Sequence, residues 1–190
     1  MPEIHLSQLF CGQAQVWLTV PKQRCDIRRA MLKLILDAET DITIRNWYFL
    51  PDREIMDALR SQLDRGVRVH VMLSHRTRVP LIDFANRLHG HKLAKSGGRI
   101  LRYSRGYMHS KVAWNDRGEV LFGSANMDTK ALKDNFECSL SLTDPLLAAQ
   151  LEEAFERDVR HCLVQDRRHL RRRPLTRALA LSCNLFAAWL

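Results

Sequence analysis

The sequence predicts an α/β domain in which a mixed, mostly parallel sheet carries helices on both faces. Three observations carry this. Apolar residues switch repeatedly between period 2 and period 3.6, so strand and helix patterns alternate from about residue 15 to residue 163. The joints between patterns are short and marked by Pro, Gly and Asp. No internal repeat or long linker interrupts the run, and strands alternating with helices bury their apolar faces best as layers.

The elements follow in order. Residues 15–20 (QVWLTV) read as a first strand, and Ile27, Ala30, Met31, Leu34, Ile35 and Ala38 then recur at helical spacing. Residues 42–49 (ITIRNWYF) are rich in β-branched and aromatic side chains, hence a strand. Pro51 and Asp52 open a second helix, with Ile55, Leu59 and Leu63 on one face and Gly66 as its stop. Val67, Val69, Val71 and Leu73 alternate with Arg68, His70 and Met72 as a strand. Residues 80–95 suit a helix ended by Gly97-Gly98, and Ile100 and Leu101 begin the next strand. The last third differs. Residues 109–115 and 119–123 flank an Asp-Arg-Gly turn, which predicts a hairpin. Residues 136–142 form one more strand. Residues 145–163 form a helix with Leu146, Leu147, Leu151 and Phe155 inward.

This divides the chain into an N-terminal extension (1–14), a lobe (15–163) and a basic tail with a short apolar helix (164–190). Apolar content of 46% and charged content of 27% exclude fibrous and disordered classes. The net charge of +9 favours anionic partners: phosphates, nucleic acid or an acidic membrane surface. Five of those charges sit in the tail, where six Arg face one Asp. Pro174 then opens an apolar helix ending in Phe186, Trp189 and Leu190. A basic run beside such a helix suits an anionic membrane interface, and packing on the lobe suits it equally. Residues 178–190 are too few to cross a bilayer, which takes about 20. The N-terminus shows no charged region followed by an apolar run, so no signal peptide is expected. Five cysteines, an odd count without a CxxC pair, argue against a disulfide scaffold or zinc site and for a reducing cytosol. His89 and His91 make only a weak metal pattern, and neither metal nor cofactor is expected. The run His75-Arg76-Thr77-Arg78 follows a strand end, where open α/β sheets place ligands; a solvated loop is the simpler account.

Chemistry concentrates in MHSKVAWNDRGEVLFGSANMD. His109 and Lys111 are two apart on the expected strand and so share a face. If Arg117 and Gly118 form a two-residue turn, Asp116 pairs with Glu119, Lys111 lies opposite Ser124 and His109 opposite Asn126. Opposed residues point to one face, so an imidazole, an ammonium, a hydroxyl and an amide would converge. A one-residue slip would destroy that register. The set suits phosphodiester chemistry. Lys111 and Asn126 can hold phosphate oxygens as charge builds on them. His109 can attack phosphorus or donate a proton to the leaving oxygen.

His109, Lys111, Asp116, Gly123, Ser124 and Asn126 match the phospholipase D superfamily signature. NWYFLPD, DRGVRVHVML, GGRILRY and NFECSL extend the likeness over residues 15–163, which resemble the C-terminal half of a bacterial cardiolipin synthase. The resemblance implies a phospholipase D-like lobe that acts on phospholipids through a phosphohistidine. It makes His109 the nucleophile or its general-acid counterpart, and has Lys111, Ser124 and Asn126 line the phosphate site. Glu137 matches the family's acidic residue that hydrogen-bonds the histidine and orients it. Asp116 and Gly123 complete the motif, Asp116 as a structural residue. Cardiolipin synthases carry two such motifs and this chain carries one. A second lobe is therefore expected, either another copy, as in small single-motif nucleases, or a separate N-terminal lobe. The chain would lie in the cytoplasm, peripheral to the inner membrane. The alternatives are a homodimeric nuclease, the one case with a nucleic-acid partner, and an inactive truncated lobe.

Overall fold

In a computed structural model, which describes residues 14–77 and 79–165, one nine-stranded sheet organises the chain. The N-terminal residues to 13, Arg78 and the residues from 166 onward lie outside the described part. The expectations on the N-terminal extension and on the basic tail with its apolar helix lie there with them.

The strands are β1 (Gln15–Val20), β2 (Arg24–Cys25), β3 (Asp41–Asn46), β4 (Phe49–Leu50), β5 (Arg68–Ser74) and β6 (Arg99–Tyr103). They continue as β7 (Val112–Asn115), β8 (Glu119–Gly123), β9 (Met127–Asp128), β10 (Glu137–Thr143) and β11 (Cys162–Val164). The helices are α1 (Asp26–Asp37), α2 (Arg53–Asp64), α3 (Pro80–Lys95), α4 (Thr129–Lys133) and α5 (Pro145–Val159). The main sheet runs β11-β6-β5-β3-β7-β8-β10-β1-β2, and β4 pairs with β9 beside it.

Alternation along the strands sorts the core onto two faces. Ile42, Ile44, Val69, Val71 and Ile100 face one side, where α1, α2 and α3 contribute Leu34, Leu59 and Leu93. Met72, Leu101, Trp114 and Val120 face the other, where α5 supplies Ala148 and Phe155. Asp52 caps α2 by accepting from the Ile55 N–H at 3.1 Å. The same carboxylate also holds Arg28 (2.6 Å) and Lys133 (3.0 Å), tying α1, α2 and α4 together.

The sheet is mixed, but the mostly parallel pairing expected from the alternation does not hold. Only β3–β5 and β5–β6 are parallel, each joined by a crossover helix. The other six neighbouring pairs are antiparallel. After β6 the chain crosses to the far side of β3 and returns as a meander, while β1 lands beside β10 rather than β3. Periodicity marks an element but not its neighbour, so it could not exclude this path.

Two further expectations shift. The helix expected over 145–163 ends at Val159, and β11 follows it. Leu146 is 70% exposed rather than inward, because Ala148, Leu151 and Phe155 define the packed face. The strand expected over 42–49 also breaks in two, leaving Trp47 and Tyr48 between β3 and β4.

Candidate active site

The β7–β8 hairpin has a three-residue loop, Asp116-Arg117-Gly118, in place of the expected two-residue turn. Its register is Val112↔Phe122, Ala113↔Leu121 and Trp114↔Val120. Asn115 causes the shift. Its buried side-chain oxygen accepts from the N–H groups of both Arg117 and Glu119 at 3.1 Å. Gly118 adopts φ +76°, a left-handed conformation that a three-residue hairpin requires at its last position. The one-residue slip therefore does occur, and Lys111 lies opposite Gly123, whose N–H donates to the Lys111 carbonyl at 3.1 Å. His109 and Ser110 precede the strand instead of belonging to it.

Convergence is reached by another route. The C-terminal ends of β3 and β8 and the N-terminal ends of β7 and β10 all meet at one edge of the sheet. His109 and Lys111 enter there on the way into β7. Ser124 and Asn126 leave there from β8, and Glu137 enters there at the start of β10. This is also the edge where open α/β sheets place ligands, outside the carboxyl ends of the parallel strands.

Gly123 makes the close approach possible. A Cβ at this position would stand 2.4 Å from the Cys138 carbonyl oxygen and 2.5 Å from the Ser139 Cα. Immediately after it, the Ser124 N–H donates to the Cys138 carbonyl at 2.9 Å. The Ser124 hydroxyl donates to the Glu137 carboxylate and accepts from the Cys138 N–H at 3.0 Å. Glu137 is thus engaged by Ser124, with Asn135 donating to its other oxygen at 3.5 Å. Lys111 and Asn126 line one small cleft with Asn46 and Ser139. The Asn126 amide oxygen is buried and makes no hydrogen bond there. Lys111 Nζ donates to the His109 carbonyl at 2.9 Å.

Trp47 was not singled out from the sequence, yet it touches most of this edge. Its ring meets the His109 imidazole edge-on, with centroids 4.8 Å apart. Tyr48 stacks on it at 4.1 Å and Tyr107 meets it at 5.6 Å. Lys111 Nζ stands 5.8 Å from the ring centroid, within cation–π range. Two buried amides fix this loop. Asn86 donates to the Trp47 carbonyl (3.0 Å) and accepts from the Phe49 N–H (2.8 Å), while Asn46 accepts from the N–H groups of Tyr48 and Met127. No sequence signal marks it, since residues 42–49 read as one strand and the break before Trp47 appears only in the structure.

The surroundings set the protonation states. Burial, and then the Lys111 ammonium, hold the His109 imidazole pKa below its ordinary value. Burial likewise lowers the Lys111 pKa, against the opposing pull of Glu137. An imidazole whose neutral form is favoured, beside an ammonium, is an arrangement suited to a phosphate.

The remaining motif residue sits elsewhere. Asp116 lies at the far end of β7 and accepts from the N–H groups of Glu39 (3.0 Å) and Asp41 (3.2 Å). His75 and Arg76 do follow the end of β5. The His75 carbonyl accepts from buried Arg102 at 2.9 Å.

Fold and edge site together are those of a phospholipase D-like α/β lobe. The chain belongs to the cardiolipin synthase, PLD-like domain family, whose model matches residues 31–159. Cardiolipin synthase 1 of Staphylococcus epidermidis is 32% identical over 144 residues, which cover 76% of this chain and 29% of that protein. The chain thus spans less than a third of the length of that relative. Among solved structures, the phospholipase D family member Nuc from Salmonella typhimurium is similar, with TM-score 0.69 and 25% identity over 80% of this chain and 96% of Nuc. A phosphatidylserine synthase from Haemophilus influenzae shares the fold at TM-score 0.69 and 16% identity, over 93% of this chain and 45% of that one.

Proposed function

We propose that this chain is one lobe of a phospholipid-acting phosphodiester transferase of the cardiolipin synthase kind, and that it works with a second lobe. One observation carries the reading: an exposed imidazole, His109, lies against Trp47 and beside Lys111 at the end of the sheet where Asn126, Ser124 and Glu137 also emerge. His109 attacks phosphorus and forms a nitrogen–phosphorus bond. The leaving alcohol takes its proton from an imidazole of the second lobe. An acceptor hydroxyl then returns a proton to that imidazole and displaces His109. Lys111 and the side-chain N–H of Asn126 hold the phosphate oxygens through both steps, while Ser124, whose hydroxyl hydrogen goes to Glu137, fixes the turn that carries Asn126. A lone lobe has one of the two imidazoles, so the partner is a second copy or a separate N-terminal lobe. On this reading the chain works at the cytoplasmic face of the inner membrane, and the +9 charge favours an anionic surface.

The test combines mass in solution with turnover of phosphatidylglycerol vesicles, run beside a His109→Ala variant. An active dimer silenced by the substitution is the expected result. An inactive monomer would refute self-sufficiency and leave a separate lobe or a truncated chain.

A second reading, a homodimeric nuclease, is favoured by the match to Nuc over 96% of its length, since there one lobe is nearly the whole chain. Cleavage of DNA that weakens steeply as salt rises would support it over the lipid reading.

A further inference from the structure

A cavity of about 340 Å³ opens at the end of the sheet opposite His109, where β3 begins and the β7–β8 hairpin turns, with the N-terminal half of α5 along its side. The volume reaches the roughly 300 Å³ at which sites for small organic molecules begin. Its apolar wall is the Trp114 ring with Ala148 and Ala149 facing it. The Trp114 indole N–H is already engaged, donating to the Glu152 carboxylate at 2.9 Å. Thr43 lines the same space from β3. Its neighbours Ile42 and Ile44 pack on the side of α1 and α2, so Thr43 points toward α5. Only 3% of Thr43 is exposed, and its hydroxyl has no hydrogen-bond partner among the described residues. A buried hydroxyl left unmet is costly, and a donor seated in the cavity would meet it.

Charge narrows the ligand. Asp41, Asp116 and Glu152 bring three carboxylates to the cavity against the one guanidinium of Arg68, a net of two negative charges. Arg68 is engaged by Asp41 through two bonds of 2.6 Å, and these hold the Asp41 carboxyl below its ordinary value. Burial opposes ionisation of Asp116, but the N–H groups of Thr40, Glu39 and Asp41 outweigh it and lower that carboxyl too. The Glu152 oxygen that Trp114 does not use accepts no hydrogen bond among the described residues. An anion is repelled here. A metal ion is not served either, since no group of three His, Cys, Asp or Glu side chains among the described residues could hold one. An organic cation fits both walls, its ammonium between Glu152 and Thr43 and its hydrocarbon part on the indole.

We infer that this cavity is a second ligand site, remote from His109, and that it takes a small primary amine with an apolar body. The ammonium donates to the free oxygen of Glu152 and to the Thr43 hydroxyl, and the body covers the Trp114 ring. The site does not depend on the phosphodiester reading, because none of its residues lies at the edge where His109 and Lys111 stand.

The test uses the full chain and three probes of nearly one shape: phenethylamine, phenethyl alcohol and phenylacetate. Each is titrated while the Trp114 indole N–H and the backbone amides of residues 41–43 and 148–152 are followed by NMR. Expected are saturable shifts centred on these groups with phenethylamine, about tenfold weaker binding of the alcohol for the loss of a charge-assisted hydrogen bond, and no saturable response to phenylacetate. Glu152→Gln, which keeps an acceptor for the indole, is expected to weaken phenethylamine about tenfold, and Thr43→Val about fivefold for one neutral hydrogen bond. The spectra report whether each variant is folded, and the comparison of the three probes on the parent chain decides the matter even where a substitution unfolds it. Absent or non-saturating phenethylamine shifts, shifts centred elsewhere, or equal binding of amine and alcohol overturn the inference. So does a folded Glu152→Gln chain that binds phenethylamine as tightly as the parent.

Discussion

Gly123→Ala is expected to destabilise the lobe more than any other single-methyl change in the sheet. The added Cβ would lie 2.4 Å from the Cys138 carbonyl oxygen, 2.4 Å from the Ser139 hydroxyl and 2.5 Å from the Ser139 Cα. Two of these three are backbone atoms of β10, held in the rung Ser139↔Gly123 and in the Ser124 N–H bond to Cys138. No side-chain rotation relieves them, so β8 and β10 must part. Overpacking contributes about 2 kcal/mol and the disturbed hydrogen bond about 1 more, roughly 3 kcal/mol together. Unfolding entropy of about 2.1 cal/mol/K per residue over the 151 described residues is about 0.3 kcal/mol/K, which makes the fall in Tm about 9 °C. Gly66→Ala is the comparison. There φ is +88° but no atom lies within 4 Å, so only the left-handed backbone penalty of about 1 kcal/mol applies. Thermal unfolding followed by circular dichroism checks both. If Gly123→Ala melts no lower than Gly66→Ala, the close approach of β8 and β10 is not what makes this glycine necessary.

Three further outcomes are expected. Trp47→Ala opens one wall of His109, and since burial is the main cause of its low pKa, the imidazole should titrate at higher pH than in the parent chain; an NMR titration showing no rise would remove Trp47 as the drying element. Asp52 is held down to about 2, with burial opposing and the hydrogen bonds from Arg28, the Ile55 N–H and Lys133 prevailing. Its folded pKa is depressed, so its stabilisation of about 2 kcal/mol is present above pH ~4 and lost as pH falls toward ~2; denaturant unfolding of Asp52→Asn should show that acid slope flattened. Asp116→Ala leaves the Glu39 and Asp41 N–H groups without their acceptor and should lower stability by about 1–2 kcal/mol, with the His109 and Lys111 resonances unmoved; shifts at those residues would tie Asp116 to the site directly.

Most of the elements were legible because their causes are local. The α2 cap at Asp52, its end near Gly66, the limits of α3 and the strand 15–20 all follow from side chains within a turn or a pleat of the feature they set. The partners of β1 and β7 were not legible, since pairing depends on where the chain goes after β6. The hairpin register shows the limit most clearly. Asp-Arg-Gly reads as a turn under either register, and the choice was made by Asn115, whose side chain closes the loop from inside the strand. The motif residues gathered at one edge nonetheless, because strand ends rather than opposed strand faces bring them together. Trp47 was hidden in a run that reads as continuous strand, and only the buried amides of neighbouring Asn46 and distant Asn86 show that the strand stops before it.

The β3–β7 pairing is a seam with a mechanical meaning. It joins the parallel strands, which supply Asn46 and the loop of Trp47, to the antiparallel strands that carry Lys111, Ser124 and Glu137. Loosening it would leave Lys111, Ser124 and Glu137 at their mutual spacing, since β8 and β10 hold those, but would draw the indole away from the imidazole. Four rungs, Ile42↔Asn115 to Arg45↔Val112, therefore act as a tuning screw: they adjust how wet His109 is without moving the groups that would grip a phosphate.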